Sequence, residues 1–345
     1  MHRLNLLPED LSPTTRVAEA WAGAHPSLPS LLEDGTPLNQ LIAENPLELL
    51  GERVMRQFGP NLPFLFKLLS IGAPLSIQVH PDSEKARKLH EESPERYPET
   101  NHKPEVGVAV TETKLLFGFR PLPQILSCID DLGPLRYLVG NRRDLRSIFE
   151  RILNASDEER LSASDSIVEL LRIKPTLTEE ERLFIALEDL YPGDPGVFQV
   201  FILNLLTLKP GEALFIQPNT PHAYLSGDIV ECMAASDFVI RAGLTPKPKD
   251  FESLCEVVEY RETERSSVVP DYVREFRIEL VTSTQEEIAD VASPTLYFSL
   301  DGEAEVTVDE TAHPLRSGEL LLVPACISSH RVSSSGTLFR VYVPN

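Results

Sequence analysis

Gln78 and His80 stand two residues apart in SIQVHP, an apolar, strand-like context. Strand side chains alternate with a period of two, so Ser76, Gln78 and His80 share one face while Ile77 and Val79 point into a core. Uncompensated burial costs roughly 1–3 kcal/mol per polar group, and a metal ion is a partner that would offset it. In isolation, the commoner reading of such a triplet is the solvent-facing side of an edge strand. NHKPEVGVAV offers a second constellation. Pro104 forces Lys103 into extended geometry, so Lys103 and Glu105 project the same way. Glu105 leads an apolar strand, a poor place for a lone carboxylate and a good one beside a metal and an ammonium. A surface Lys–Glu pair at a strand entrance fits equally well.

A third constellation follows the turn Pro218-Asn219-Thr220-Pro221. His222 and Tyr224 alternate onto one face, Glu231 follows a Ser-Gly-Asp turn, and Arg241 ends a strand ahead of Ala242-Gly243. Lys247 and Lys249 sit in a proline-rich loop, where lysine is normally just solvated. Each of these residues says little by itself. Taken together, Gln78, His80, Glu105 and His222 offer an amide oxygen, two imidazoles and a carboxylate. That mixture suits Zn²⁺ and, less selectively, Mn²⁺ or Fe²⁺. Lys103, Arg241 and Lys247 add positive charge.

The elements that must position these residues fall into four stretches. Residues 1–120 are broken by Pro and Gly, with short apolar runs such as LPFLFKLLS. Residues 121–195 change character: ILSCIDDL, LRSIFERIL, SIVELLRI and TEEERLFIALEDL carry apolar residues at helical spacing. Thr178 ahead of Glu179, Glu180 and Glu181 predicts an N-cap, and YPGDPG predicts the stop. This stretch reads as a helical insertion. After Pro195, VFQVFILNLLTLKPGEALFIQPNTPHAYL predicts strands over residues 196–262, and TLYFSLDGEAEVTV, ELLLVPA and LFRVYVP predict more over residues 263–345. LKPGEALFIQP (Leu208 to Pro218) parallels LRSGELLLVP (Leu315 to Pro324). Two copies of one strand–turn–strand unit point to two related β-sandwiches, although any Gly-Glu turn before a buried strand gives the same pattern.

Charge narrows the partners. The chain carries 32 Lys plus Arg against 53 Asp plus Glu, a formal net charge of −21. Such a surface repels nucleic-acid phosphates and anionic lipid, so neither is expected as a partner. Clustered basic residues in so acidic a chain need a local reason, and an anionic small molecule supplies one. Cys128, Cys232, Cys255 and Cys326 form no CxxC pair, so neither a disulfide framework nor a zinc knuckle is expected. MHRLNLLPEDLSP lacks the apolar core and cleavage site of a signal peptide, and no apolar stretch is long enough to span a bilayer. A cytoplasmic protein is the expectation.

LPFLFKLLS, PLSIQVHPD, YPETNHKPE, LFGFRP, FILNLLTLKPGEALFIQPNTPHAYLSGDIVECM and SDFVIRAGLTPK resemble, in order and spacing, the signature blocks of type I mannose-6-phosphate isomerase (phosphomannose isomerase). The resemblance runs from about Val17 to Leu254 and more loosely to the C-terminus. It implies a mainly β fold of two cupin-like jelly-roll β-sandwiches with an α-helical insertion, the C-terminal one metal-free. It further implies one Zn²⁺ per chain on Gln78, His80, Glu105 and His222, with Arg241 catalytic. Lys67, Ser76, Lys103, Tyr224, Glu231 and Lys247 would bind substrate. The implied reaction interconverts mannose 6-phosphate and fructose 6-phosphate through a cis-enediol, in a monomer whose partner is a small-molecule sugar phosphate.

The chain departs from the family pattern in two places. A β-segment with a Tyr-Ala-Trp-Gly motif usually precedes the AEAWAGAHPSLPS block; its lack here would either leave a sheet edge open or reflect a misplaced start of the sequence, and it removes none of the ligand positions. Phe238 stands where Asn is common after Ser-Asp, which would reshape the pocket near Arg241. Two rival readings remain at this stage. The His-His-carboxylate set alone also suits Fe²⁺ oxygen chemistry, although the Gln ligand and the basic cluster argue against it. A catalytically inactive cupin that binds or senses sugar phosphate would need the same fold.

Overall fold

The computed structural model describes residues 1–6, 17–281, 286–289 and 292–345. Most of the N-terminal stretch read above for a signal peptide lies outside the described residues. The chain divides into two compact units: Met1–Leu69 with Val230–Ser236 and Val268–Asn345, and Ser70–Ile229 with Asp237–Ser267. Among the described residues, no helix is long and apolar enough to cross a membrane.

The first unit is an antiparallel sandwich. One sheet runs, in spatial order, through Arg277–Val281, Leu338–Tyr342, Thr295–Ser299, Leu320–Val323, His2–Asn5 and Leu31–Leu32. The other runs through Glu286–Ala289, Ser329–Ser334, Ala304–Val308 and Thr311–Leu315. Alternate residues of the two sheets, including Val281, Leu321, Val323 and Leu338 against Ile288, Val306, Leu315 and Val332, form one buried cluster. The N-terminal strand reaches this sheet through non-local pairing, with Leu4 opposite Leu320.

The second unit combines antiparallel strands with the expected helices. Leu122–Asp131, Gly133–Val139, Leu145–Leu153, Asp157–Arg172 and Glu179–Leu190 are all α-helical. Thr178 caps the last of them as its spacing predicts: its hydroxyl accepts from Glu181 N, and the Glu181 carboxylate accepts from Thr178 N. A capping box of this kind is worth about 1 kcal/mol. Ile148, Phe149, Ile152, Ile167, Leu171, Phe184 and Leu187 turn inward and join Ile77, Val79, Ala223 and Ala242 from the strands in one core.

One expectation needs correction. VFQVF is helical, not strand: an α-turn spans Pro195–Phe198, a 3₁₀ turn spans Gln199–Phe201, and the strand begins only at Leu203. Asp194 caps the turn by accepting from Gly196 N, and Pro195 sits at the first helical position, where its missing N–H is no loss. Val197, Phe198, Val200 and Phe201 are all buried, and buried all round, a short helix and a strand show the same run of apolar residues.

The sequence repeat is a repeat in structure. Gly211 and Gly318 adopt φ of 83° and 85°, the left-handed position that a tight turn reserves for glycine. Glu212 N donates to Lys209 O and Glu319 N to Arg316 O, while each glutamate side chain accepts from the N–H three residues back. In each case a strand follows the turn, Ala213–Ile216 after the first and Leu320–Val323 after the second.

A close backbone approach fixes the strand that carries Arg241. A Cβ added at Gly243 would lie 2.4 Å from Gly196 N and 2.5 Å from Asp194 Oδ1. Asp194 Oδ1 also accepts from Leu244 N at 2.7 Å, tying the PGDPG turn to the strand. Gly243→Ala is therefore expected to destabilise the protein by about 2–3 kcal/mol, the upper range for overpacking. Urea unfolding checks this; a loss below about 0.5 kcal/mol would contradict the close approach.

Candidate metal centre

Three strands set the site's geometry by their register. Ile77–Val79 lies between His222–Ala234 and Ile240–Gly243, and Gln78 is the cross-strand partner of both His222 and Arg241. Directly opposed residues point to the same side of a sheet with Cβ atoms about 5 Å apart. His222, Gln78 and Arg241 thus form a row on one face. Ile77 and Val79 face the other way and are fully buried. His80 follows immediately after the strand. Its carbonyl accepts from Asn219 N at 2.6 Å, and Asn219 takes φ of 67°, a conformation asparagine tolerates better than most residues. The Asn219 amide is itself clamped to Asp82, donating to Oδ2 and accepting from the backbone N.

Glu105 opens the strand Glu105–Ala109 and is 1% exposed, as are His80 and His222. One ligand atom from each of the three lies within 4.8 Å of the others. His222 Nε2 stands 2.8 Å from Glu105 Oε1, and His80 Nε2 stands 3.4 Å from Oε2. Lys103 Nζ, also buried, stands 3.6 Å from Oε2, which is the shared projection that Pro104 predicts.

Proton positions decide what these contacts mean. His80 Nδ1 lies 2.7 Å from Phe238 O, and His222 Nδ1 lies 2.9 Å from Thr220 O. A carbonyl only accepts, so each Nδ1 must carry the proton. Burial, reinforced by the Lys103 ammonium, pushes the His80 imidazole down to about 4, so this ring is neutral near pH 7. Burial opposes ionisation of Glu105, but His80, Lys103 and His222 around it outweigh that effect and hold the carboxyl well below the usual carboxylate range. His80, neutral and protonated at Nδ1, presents its Nε2 lone pair to the anionic carboxylate, and His222, with its Nδ1 turned to Thr220 O, presents Nε2 to the same group. His80 Nε2, His222 Nε2 and both Glu105 oxygens are buried without hydrogen-bond partners. Lys103 stands on one side of this group of buried polar atoms, and a divalent cation among them would satisfy the rest. The donor set of two imidazoles and a carboxylate fits Zn²⁺, and Gln78 is the neighbouring residue in the row that can complete four-fold coordination.

The other candidates fall in several places. Arg241 is half-buried, and among the described residues its side chain makes no hydrogen bond or ion pair, which leaves its guanidinium available for an anion. Tyr224 is buried two positions beyond His222, and Ser76 is half-buried just before the Gln78 strand. Lys247 is exposed, its N–H held by Thr245 Oγ1. Lys249 is engaged elsewhere, paired with Asp194 at 2.9 Å. Lys67 and Glu231 belong to the first unit. Lys67 is buried with its ammonium 3.9 Å from the Trp21 ring centroid, and Glu231 is buried near the end of the long strand that His222 begins. Phe238 is 5% exposed with its ring stacked on Tyr97, so it is its carbonyl that reaches His80.

Sequence reasoning did not find the two carbonyls that orient the imidazoles, Thr220 O and Phe238 O, because a backbone acceptor leaves no residue-type signature. Asn219 was legible only as a turn residue between two prolines. Its grip on His80 depends on contacts distant in sequence.

Comparison with known proteins reaches the same chemistry independently. The chain matches the catalytic domain of type I phosphomannose isomerase over residues 5–122 and its helical insertion domain over residues 139–203. It is 36% identical to mannose-6-phosphate isomerase 1 of Arabidopsis thaliana, over 94% of this chain and 84% of that one. It is 37% identical to a probable mannose-6-phosphate isomerase of Caenorhabditis elegans, over 95% and 86% respectively. Among solved structures, a mannose 6-phosphate isomerase bound with zinc and yttrium has a TM-score of 0.88 at 30% identity, covering 100% of both chains. A point mutant of phosphomannose isomerase from Salmonella typhimurium has a TM-score of 0.89 at 29% identity, again covering 100% of both. With sequence, cupin-type architecture and a zinc-suited donor set in agreement, the chain belongs to the type I phosphomannose isomerase family.

Proposed function

We propose that this protein interconverts mannose 6-phosphate and fructose 6-phosphate, with one Zn²⁺ held by Gln78, His80, Glu105 and His222. The observation that carries the reading is the set of buried polar atoms at His80, Glu105 and His222 that converge without hydrogen-bond partners, at the spacing a divalent cation would take. When bound, a divalent ion supplies Lewis-acid stabilisation of the oxygen that gains charge as the substrate enolises, worth several kcal/mol.

The chain's own residues would bind and orient the substrate and stabilise the charge it develops. Aldose–ketose exchange moves a proton between C1 and C2 through a cis-enediol. Arg241, in the row beside Gln78, offers a planar guanidinium to the developing oxyanion or to the phosphate. Lys103 and Lys247 add positive charge in an otherwise strongly acidic chain. Ser76 and Tyr224 supply hydroxyls for orienting the sugar. The same acidity disfavours nucleic acid and anionic membranes as partners, and we take the protein to act as a cytoplasmic monomer on a small sugar phosphate.

A coupled assay with mannose 6-phosphate tests the reading. Chelation is expected to abolish turnover and Zn²⁺ to restore it. Full turnover by metal-free protein would refute the assignment of the centre, and a zinc-loaded protein without turnover would make it an inactive cupin.

A further inference from the structure

The two imidazoles at the centre are oriented in different ways. His222 is held within its own turn, by the carbonyl of Thr220 two residues earlier. His80 depends on a carbonyl 158 residues away, that of Phe238. The position of that carbonyl is therefore set by whatever fixes the Asp237–Phe238 backbone.

One segment that bears on it lies outside the ligand set, residues 96–99. Tyr97 stacks on the Phe238 ring with centroids 5.1 Å apart and planes 9° from parallel. Both rings are buried, at 7% and 5% exposure. Glu99 reaches the preceding peptide, where its Oε1 and Oε2 accept from Asp237 N at 3.1 and 3.0 Å. The segment is itself anchored. The Tyr97 hydroxyl donates to Asp250 Oδ2, the Tyr97 carbonyl accepts from His90 Nδ1, and Arg96 pairs with Asp250 at 3.0 Å. Asp250 in turn caps the helix Phe251–Val257 by accepting from Ser253 N.

We infer that Tyr97 and Glu99 are positioning residues for the zinc ligand His80, acting through the Phe238 carbonyl that holds its Nδ1–H. The inference rests on the proposed role of His80 as a ligand. A ligating imidazole must present Nε2 along one direction, and the acceptor on its other nitrogen fixes both tautomer and ring angle. Loss of such an outer partner typically weakens metal binding by about 10–100-fold. The stack bears on the Phe238 side, and the Asp237 N–H, shared between the two Glu99 carboxylate oxygens, holds the peptide from the other side.

The test is Zn²⁺ affinity of the apoprotein, measured by competition with a chromophoric chelator, for wild type, His80→Ala, Tyr97→Ala, Tyr97→Phe and Glu99→Ala. Tyr97→Ala is expected to weaken binding by about 10–100-fold, and Tyr97→Phe, which keeps the stacked ring, to recover it to within about three-fold of wild type. Glu99→Ala is expected to weaken binding by about 10-fold. A role in folding alone would lower the unfolding temperature of the apoprotein without moving the affinity of the folded fraction. If Tyr97→Ala does not fold, Glu99→Ala decides. Wild-type affinity in folded Tyr97→Ala, or in Glu99→Ala where that variant decides, overturns the inference, provided His80→Ala binds weakly. If His80→Ala binds zinc as tightly as wild type, it is the ligand assignment that fails, and the inference fails with it.

Discussion

Replacing His222 with alanine is expected to strip the protein of stoichiometric zinc and to lower turnover by more than about 10³-fold, the equivalent of losing roughly 4 kcal/mol of transition-state stabilisation. Of the three side chains described around the Glu105 carboxylate, His222 comes nearest, with Nε2 2.8 Å from Oε1 against 3.4 Å for His80 and 3.6 Å for Lys103. It is also the residue through which the register aligns Gln78 with the centre. Alanine removes one donor of the set and leaves the Glu105 carboxylate buried beside Lys103 with less to hold it in place. The substitution falls at the first residue of a long strand whose backbone pairing does not depend on the ring, so the fold is expected to survive. Metal analysis, the coupled assay and thermal unfolding of one preparation check all three points. A His222→Ala protein that keeps one zinc per chain and near-normal turnover would exclude His222 as a ligand.

Arg241→Ala is expected to separate metal binding from catalysis. Turnover should fall by about 10²–10³-fold, the cost of removing one preorganised donor from a developing oxyanion, while zinc content stays at one per chain. The reason lies in its position: Arg241 shares the Gln78 row but is not in the buried acceptor cluster, and no described acidic group neutralises it. Arg241→Lys should recover only part of the loss, because an ammonium keeps the charge without the two-pronged geometry. Normal turnover in Arg241→Ala would remove the arginine from the mechanism.

Much of this site was legible before any coordinates, for identifiable reasons. Gln78 and Ile77 separate onto opposite faces because a strand alternates, and Lys103 and Glu105 project together because a proline restricts the residue before it. The Thr178 cap and the paired Gly211 and Gly318 turns follow from local rules that need only a few neighbouring residues. What stayed hidden was non-local or carried by the backbone. The pairing of Leu4 with Leu320 closes a loop of more than three hundred residues that no local pattern announces. Burial on all sides disguised the Pro195–Phe201 turns as strand. The carbonyls of Phe238 and Thr220, which decide the tautomers of both imidazoles, belong to residues whose side chains point to no such role.

The claim on which the account turns is that Gln78, His80, Glu105 and His222 share a single divalent ion. Crystals of the zinc-loaded protein, with anomalous difference density recorded across the zinc edge, test it most directly. The account predicts one peak per chain, enclosed by those four side chains. A peak elsewhere in the chain, or none at the centre in a catalytically active crystal, would contradict it.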